Sequence, residues 1–153
     1  MVTIEEKTEI STSEKDFIQR IWNSEFPAVS KLDENKEHDF YLKKTTDHRY
    51  YFLKVNGELA GWGFKFKRYS GTWFVLAIER QHQGKGLGSK LFNEIKKNEN
   101  EINCWAIDEN IYTKADGSLY CSPKDFLKAN GMTPLENIRG HDGKLSAIKF
   151  KSS

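Results

Sequence analysis

Gln83-Gly84-Lys85-Gly86-Leu87-Gly88-Ser89 is the stretch on which the fold turns. The apolar run of residues 73–78 precedes it, and Leu87, Leu91, Phe92 and Ile95 follow at helical spacing. A strand, a glycine loop and a helix in that order form an anion cradle. Consecutive backbone N–H groups converge on a phosphate, and the helix N-terminus adds partial positive charge. Glycine suits such a loop because it adopts unusual backbone angles and lets a ligand approach the main chain.

Upstream, residues 50–55 are β-prone, Asn56-Gly57 is a favoured type I′ pair, and residues 58–67 continue the strand pattern. Ala60, Trp62, Phe64 and Phe66 alternate with Gly61, Gly63, Lys65 and Lys67. Ser70-Gly71 marks a second turn before a strand at 72–79, so three antiparallel strands lead into the loop. Residues 2–10 read as a first strand. Phe17, Ile18, Ile21 and Trp22 form one stripe of a helix that Ser13 and Asp16 cap and Phe26-Pro27 ends. The charge-rich residues 30–44 read as a short second helix.

Downstream, a helix over 86–97 leads to a strand at 102–107. A right-handed crossover places that strand parallel to the one before the loop. Residues 108–121 are polar and irregular. Ser122-Pro123-Lys124-Asp125 starts a helix that Asn130-Gly131 closes. Residues 132–139 and 144–151 form a last hairpin around His141-Asp142-Gly143.

The 153 residues carry 24 basic and 22 acidic side chains. That balance and the absence of a dense basic stripe argue against nucleic acid. Lys65, Lys67 and Arg68 read as the solvated face and end of a strand. No apolar run approaches the roughly 20 residues that cross a bilayer, so no membrane partner is expected. The N-terminus lacks the basic and apolar regions of a secretory signal. Cys104 and Cys121 have no CxxC partner, so neither a disulfide framework nor a metal site is expected. The chain is read as one cytoplasmic domain over residues 1–153, a monomer or homodimer with reduced thiols. A mean hydropathy of -0.72 with 13% aromatic residues predicts an aromatic core under a charged surface.

Two familiar owners of glycine loops are excluded. Gly86 is followed by Leu87, so the G-K-[ST] tail of a P-loop is missing. Ser89 stands at the third-glycine position of the dinucleotide fingerprint, and the preceding strands look antiparallel. The order of elements resembles the GNAT N-acetyltransferase superfamily instead. Its central pattern, [RQ]-x-x-G-x-[GA], is matched by Gln83-Gly84-Lys85-Gly86-Leu87-Gly88. The closing Phe126-Leu127-Lys128-Ala129-Asn130-Gly131-Met132 is similar to a second family signature. The resemblance covers roughly residues 2–151.

It implies an α/β (α+β) fold: a mixed, mostly antiparallel sheet of six to seven strands flanked by helices, with one parallel pair around the loop. It implies acetyl-CoA as co-substrate. Its pyrophosphate would meet the backbone N–H groups of Gln83, Gly84, Lys85, Gly86, Leu87, Gly88 and Ser89. Its pantetheine arm would pair with the main chain near Leu76, Ala77 and Ile78, in a gap where the two parallel strands splay. Asn110 resembles an asparagine that the family carries after the next strand. The implied reaction is direct acetyl transfer to a primary amine, with a strand N–H stabilising the oxyanion.

The chain departs from the family where the leaving thiolate is protonated. The usual tyrosine lies four residues before the closing glycine, and that position is Leu127. Tyr120 and Tyr112 are substitutes by position, and water is another. For the base, Glu79 acting through water, His82, His141 and the group Asp108-Glu109-Asn110 all stand open. Cys121 near a helix start is either a perturbed thiol or a packed one. Trp22, Phe26, Trp62 and Trp105 either wall an acceptor pocket or pack the core. Three functions stay in view: an N-acetyltransferase, a CoA-binding module with weak or no catalysis, and a non-enzymatic interaction domain.

Overall fold

A computed structural model describes residues 1–30, 45–142 and 145–152, without the side chains of 141 and 142. The elements are β1 (Val2–Lys7), α1 (Thr12–Glu25), β2 (Thr46–Val55), β3 (Glu58–Arg68), β4 (Gly71–Ile78), α2 (Leu87–Lys96), β5 (Asn103–Ala106), α3 (Lys124–Ala129), β6 (Met132–Asp142) and β7 (Leu145–Ser152). The helix expected at 30–44 lies outside the described residues beyond Ser30, which closes a short 3-10 turn, Ala28–Ser30. The strands form one sheet in the order β1-β2-β3-β4-β5-β7-β6. Every neighbouring pair is antiparallel except β4 and β5, which run parallel as the crossover rule requires.

Helices cover the sheet on both faces, so β3 is buried on both. On one face Phe17, Ile18 and Ile21 of α1 pack on Phe52, Trp62, Phe64 and Ala77. On the other, Leu87, Leu91, Phe92 and Ile95 of α2 meet Tyr51, Leu53 and Phe74. Gly63 lets α2 lie close, since a Cβ there would come within 2.5 Å of Ile95 Cδ1.

Several local expectations need correction. Ala60 does not share a face with Trp62. The register shifts between Leu53↔Gly61 and Lys54↔Leu59, so Ala60 is an extra residue in a bulge and turns to the α2 side. Lys65 is not solvated: it is buried, and its Nζ donates to Ile95 O at 2.8 Å and pairs with Glu99 at 3.1 Å. It thus serves the electronegative C-terminal end of α2. The cap of α1 is Ser11 with Glu14, a reciprocal capping box that lies just N-terminal to the expected Ser13 and Asp16. The second turn is centred on Tyr69 and Ser70, both at positive φ, and Gly71 already belongs to β4. His141 and Asp142 are strand residues paired with Ser146 and Leu145 rather than turn residues.

Candidate active site

β4 and β5 start side by side and then part. Their parallel ladder is confined to the pair Trp73↔Asn103, while β5 pairs with β7 at Asn103, Cys104, Trp105 and Ala106. The β5-facing edge of Leu76, Ala77 and Ile78 therefore has no ladder partner among the described residues. This is the wedge that the splay expectation required.

The glycine loop closes the end of the wedge. After β4 a 3-10 turn, Arg80–His82, reverses the chain, and the Gln83 N–H donates to Arg80 O at 3.2 Å. That N–H is thus already occupied. Beyond it, the N–H groups of Gly84, Lys85, Gly86, Leu87, Gly88 and Ser89 find no acceptor among the described residues. Gly84 and Gly86 take φ of +77° and +79°, in the left-handed region that favours glycine. Gly86 caps α2 with no side-chain hydrogen bond, leaving the first-turn amides open. A Cβ on Gly84 or Gly86 would meet nothing within 4 Å, so the glycines serve backbone angle and outside access rather than internal packing. A row of unpaired donors at a helix N-terminus fits a pyrophosphate.

The Gln83 side chain, on an exposed residue, folds back toward the ends of β4 and α1. Its Nε2 donates to Ile78 O at 2.7 Å and to Glu25 Oε1 at 3.0 Å. Glu25, largely buried at the end of α1, also takes Lys114 Nζ on Oε1 at 3.2 Å. The loop after β5 is thereby strapped to α1, and it is further tied to the turn after β4 by Arg80 with Asp116 and to the turn after α1 by Ala28 N–H with Thr113 O. Hydrogen bonds from Ser118 and then Arg80 hold the Asp116 carboxyl well below the usual carboxylate range. Between strap and helix lies a cavity of about 400 Å³ lined by Arg20, Ser24, Glu25, Glu79, Arg80 and Asp116, among others. Arg20 and Glu79 also line a second groove of about 540 Å³ toward the β2–β3 turn.

Glu79 thus faces open space at the end of β4, with its side chain 18% exposed and Arg20 at 3.7 Å. Gln81 Nε2 donates to its other oxygen. Tyr120 is buried, and burial pushes its phenol up to about 12. No contact among the described residues joins it to Glu79. Tyr112 is engaged elsewhere, its hydroxyl accepting from Ser146 N–H at 3.1 Å. Asn110 is also engaged, Oδ1 taking the Ser122 N–H at 2.7 Å. Asp108 forms a two-pronged pair with Arg139 at 2.7 and 3.1 Å, which holds its carboxyl below the ordinary range. Leu127 is core, packed with Leu87 and Met132.

Of the four aromatics, Trp22 on α1, Phe26 at its C-cap and Trp62 on β3 cluster together, with centroid separations from Trp22 of 4.5 and 6.1 Å. The Trp62 indole N–H is buried and finds no acceptor among the described residues. Trp105 lies apart, stacked on Trp73 at the start of β4. Glu25, Lys114 and Arg20 escaped the sequence reading, because no local pattern links positions so far apart in the chain.

A model described as the acetyltransferase (GNAT) family matches residues 15–113. The chain belongs to that family. No curated protein matches it in sequence. Among solved structures it is similar to an aminoglycoside 6'-N-acetyltransferase complexed with coenzyme A. That match has 14% identity over 98% of this chain and 96% of that one, with a TM-score of 0.71. It is similar to yncA of Salmonella typhimurium with its cofactor acetyl-CoA, at 14% identity, 99% and 92% coverage and TM-score 0.67. It also resembles Escherichia coli ElaA, at 15% identity, full coverage of both chains and TM-score 0.65. At these identities the likeness is one of fold, and it extends over nearly the whole chain.

Proposed function

We propose that this chain is an acetyl-CoA-dependent N-acetyltransferase acting on a primary amine of a small molecule or peptide. The run of unpaired N–H groups from Gly84 to Ser89 at the head of α2 carries the reading. In it, these amides hold the pyrophosphate, Lys85 adds charge, and the open edge at Leu76, Ala77 and Ile78 receives the pantetheine arm. The thioester carbonyl then lies against β4, where a backbone N–H stabilises developing negative charge.

An amine arrives protonated at neutral pH, since its reference pKa is about 10.4. Glu79 takes that proton, directly or through a water, from an acceptor seated in the cavity that it shares with Arg20 and Glu25. The nitrogen attacks the carbonyl carbon, the C–S bond breaks, the sulfur leaves with the electron pair, and the nitrogen gives its second proton to water to form the neutral amide. Burial pushes the Tyr120 phenol up to about 12, so it stays protonated and serves the departing sulfur as a hydrogen-bond donor rather than as a strong acid. A thiolate of pKa near ~8.5 needs little help. Asn110 steadies the strap near the cofactor through Ser122. The setting is cytoplasmic, with a monomer or homodimer and no metal.

One observation favours a second reading. Leu127 is an apolar core residue at the position where the family signature carries its tyrosine, which fits a CoA-binding module with weak catalysis. Calorimetric titration with acetyl-CoA, followed by thiol release across polyamines, aminoglycosides, amino acids and peptides, separates the readings. Binding with turnover supports the enzyme, and binding without turnover above hydrolysis supports the module. No binding at millimolar acetyl-CoA refutes both.

A further inference from the structure

We propose that Glu25 is a positioning residue for the phosphate-facing loop, acting through the carboxamide of Gln83; this rests on the CoA-binding reading above. Glu25 sits at the last position of α1 with its side chain 9% exposed. Its Oε1 accepts from Gln83 Nε2 at 3.0 Å and from Lys114 Nζ at 3.2 Å, and its Oε2 accepts from Ser24 Oγ at 3.2 Å. The second hydrogen on Gln83 Nε2 goes to Ile78 O at 2.7 Å. The carboxamide is thus clamped between the last residue of β4 and the last residue of α1.

The need for a clamp follows from what comes next. Gly84, Lys85 and Gly86 are exposed, and neither glycine has neighbouring atoms within reach of a Cβ. Packing does not hold this half of the loop. Its amides point usefully only if Gln83, the residue just before the free run, is fixed in direction. A neutral acceptor would orient the carboxamide, but a charged one makes the stronger bond. A bare carboxylate so near an anion site would also repel phosphate. Lys114, on the strap that follows β5, offsets that charge at the same oxygen.

The same carboxylate lines the cavity assigned to the acceptor. One side chain therefore touches the acceptor cavity, the strap and the loop. Its predicted contribution is to CoA affinity, by holding the loop in its binding shape before the ligand arrives.

The test is calorimetric titration of the full chain with CoA, with a thermal melt of each variant. Glu25→Leu removes the acceptor and is expected to raise the Kd about tenfold, the equivalent of one hydrogen bond worth ~1.4 kcal/mol. Glu25→Asp keeps the charge opposite Lys114 but draws the carboxylate back, and about a threefold rise is expected. In a Gln83→Leu background, adding Glu25→Leu should change the Kd less than about twofold, because the two residues act as one unit. A purely structural role would lower the melting temperature and leave these affinities alone. Unchanged CoA affinity in Glu25→Asp and Glu25→Leu, or the full tenfold loss persisting without Gln83, overturns the inference. Failure of the unsubstituted chain to bind CoA overturns the acetyltransferase reading itself, so the two failures are distinguishable.

Discussion

Replacing Lys65 by Met tests the packing of the helix that carries the loop. The substitution keeps most of the aliphatic stem and removes the ammonium. Two contacts go: the 2.8 Å donation to Ile95 O and the 3.1 Å pair with Glu99. The ammonium also lies 5.5 Å from the Tyr51 ring centroid. A hydrogen bond to a charged donor contributes about 1.5–3 kcal/mol. Glu99 is only partly buried and keeps Thr72 Oγ1 at 3.3 Å, so water recovers much of its loss. Ile95 O, at the end of α2 and covered by the lysine itself, recovers little. The expected cost is about 2–3 kcal/mol. For a domain of this size that lowers Tm by about 4–12 °C at roughly 2–4 °C per kcal/mol. Urea unfolding of the wild type, Lys65→Met, Glu99→Gln and the double variant measures the cost and the coupling. A loss below about 0.5 kcal/mol, the level of an ordinary surface lysine, would refute the reasoning.

Other consequences are open to direct measurement. Gly86→Trp should abolish CoA binding in calorimetry while circular dichroism stays native, because the side chain projects into open space over the free amides; unchanged affinity would reduce the loop to a turn. Glu79→Gln should lower kcat/KM at least about tenfold on any acceptor found active, with acetyl-CoA affinity unchanged. Tyr120→Phe should cost about tenfold or more in kcat with CoA affinity intact; unaltered kcat would assign the proton to water. Stability should fall in acid partly through Asp108. Arg139 holds its carboxyl below the unfolded value of about 3.9, so the native state binds fewer protons. That contribution is present above about pH 4 and is lost as pH falls through the lower native value. Asp108→Asn should make the acid limb of Tm against pH shallower.

The meander, the loop and the parallel crossover were legible because each rests on local spacing. Asn56-Gly57 announces its turn, and Leu87, Leu91, Phe92 and Ile95 announce a face. What stayed hidden depends on partners distant in sequence. Ala60 fits the alternation of its strand, and only the register with β2 makes it a bulge. Lys65 has the composition of a solvated residue, and only the arrival of the α2 C-terminus buries it. The Ser11 box was equally readable as Ser13 with Asp16, since both satisfy the capping spacing. The unpaired amides follow from the glycines, whereas the strap has no linear signature. Lys114 and Glu25 lie 89 residues apart, and folding alone makes them neighbours.

The wedge between β4 and β5 has a bearing on self-association. Unpaired strand edges ordinarily recruit other chains, and the outermost strands of a sheet are where this happens. Here the open main-chain groups lie inside the sheet. β3 and β7 flank them, and the gap narrows to a single pair at Trp73 and Asn103. A foreign β-strand needs a uniform slot about 4.8 Å from each neighbour, and a tapering one refuses it. A thin, flexible arm that hydrogen-bonds at intervals has no such requirement. The taper thus lets the protein keep a strand edge without a strand partner and yet offer no template for aggregation.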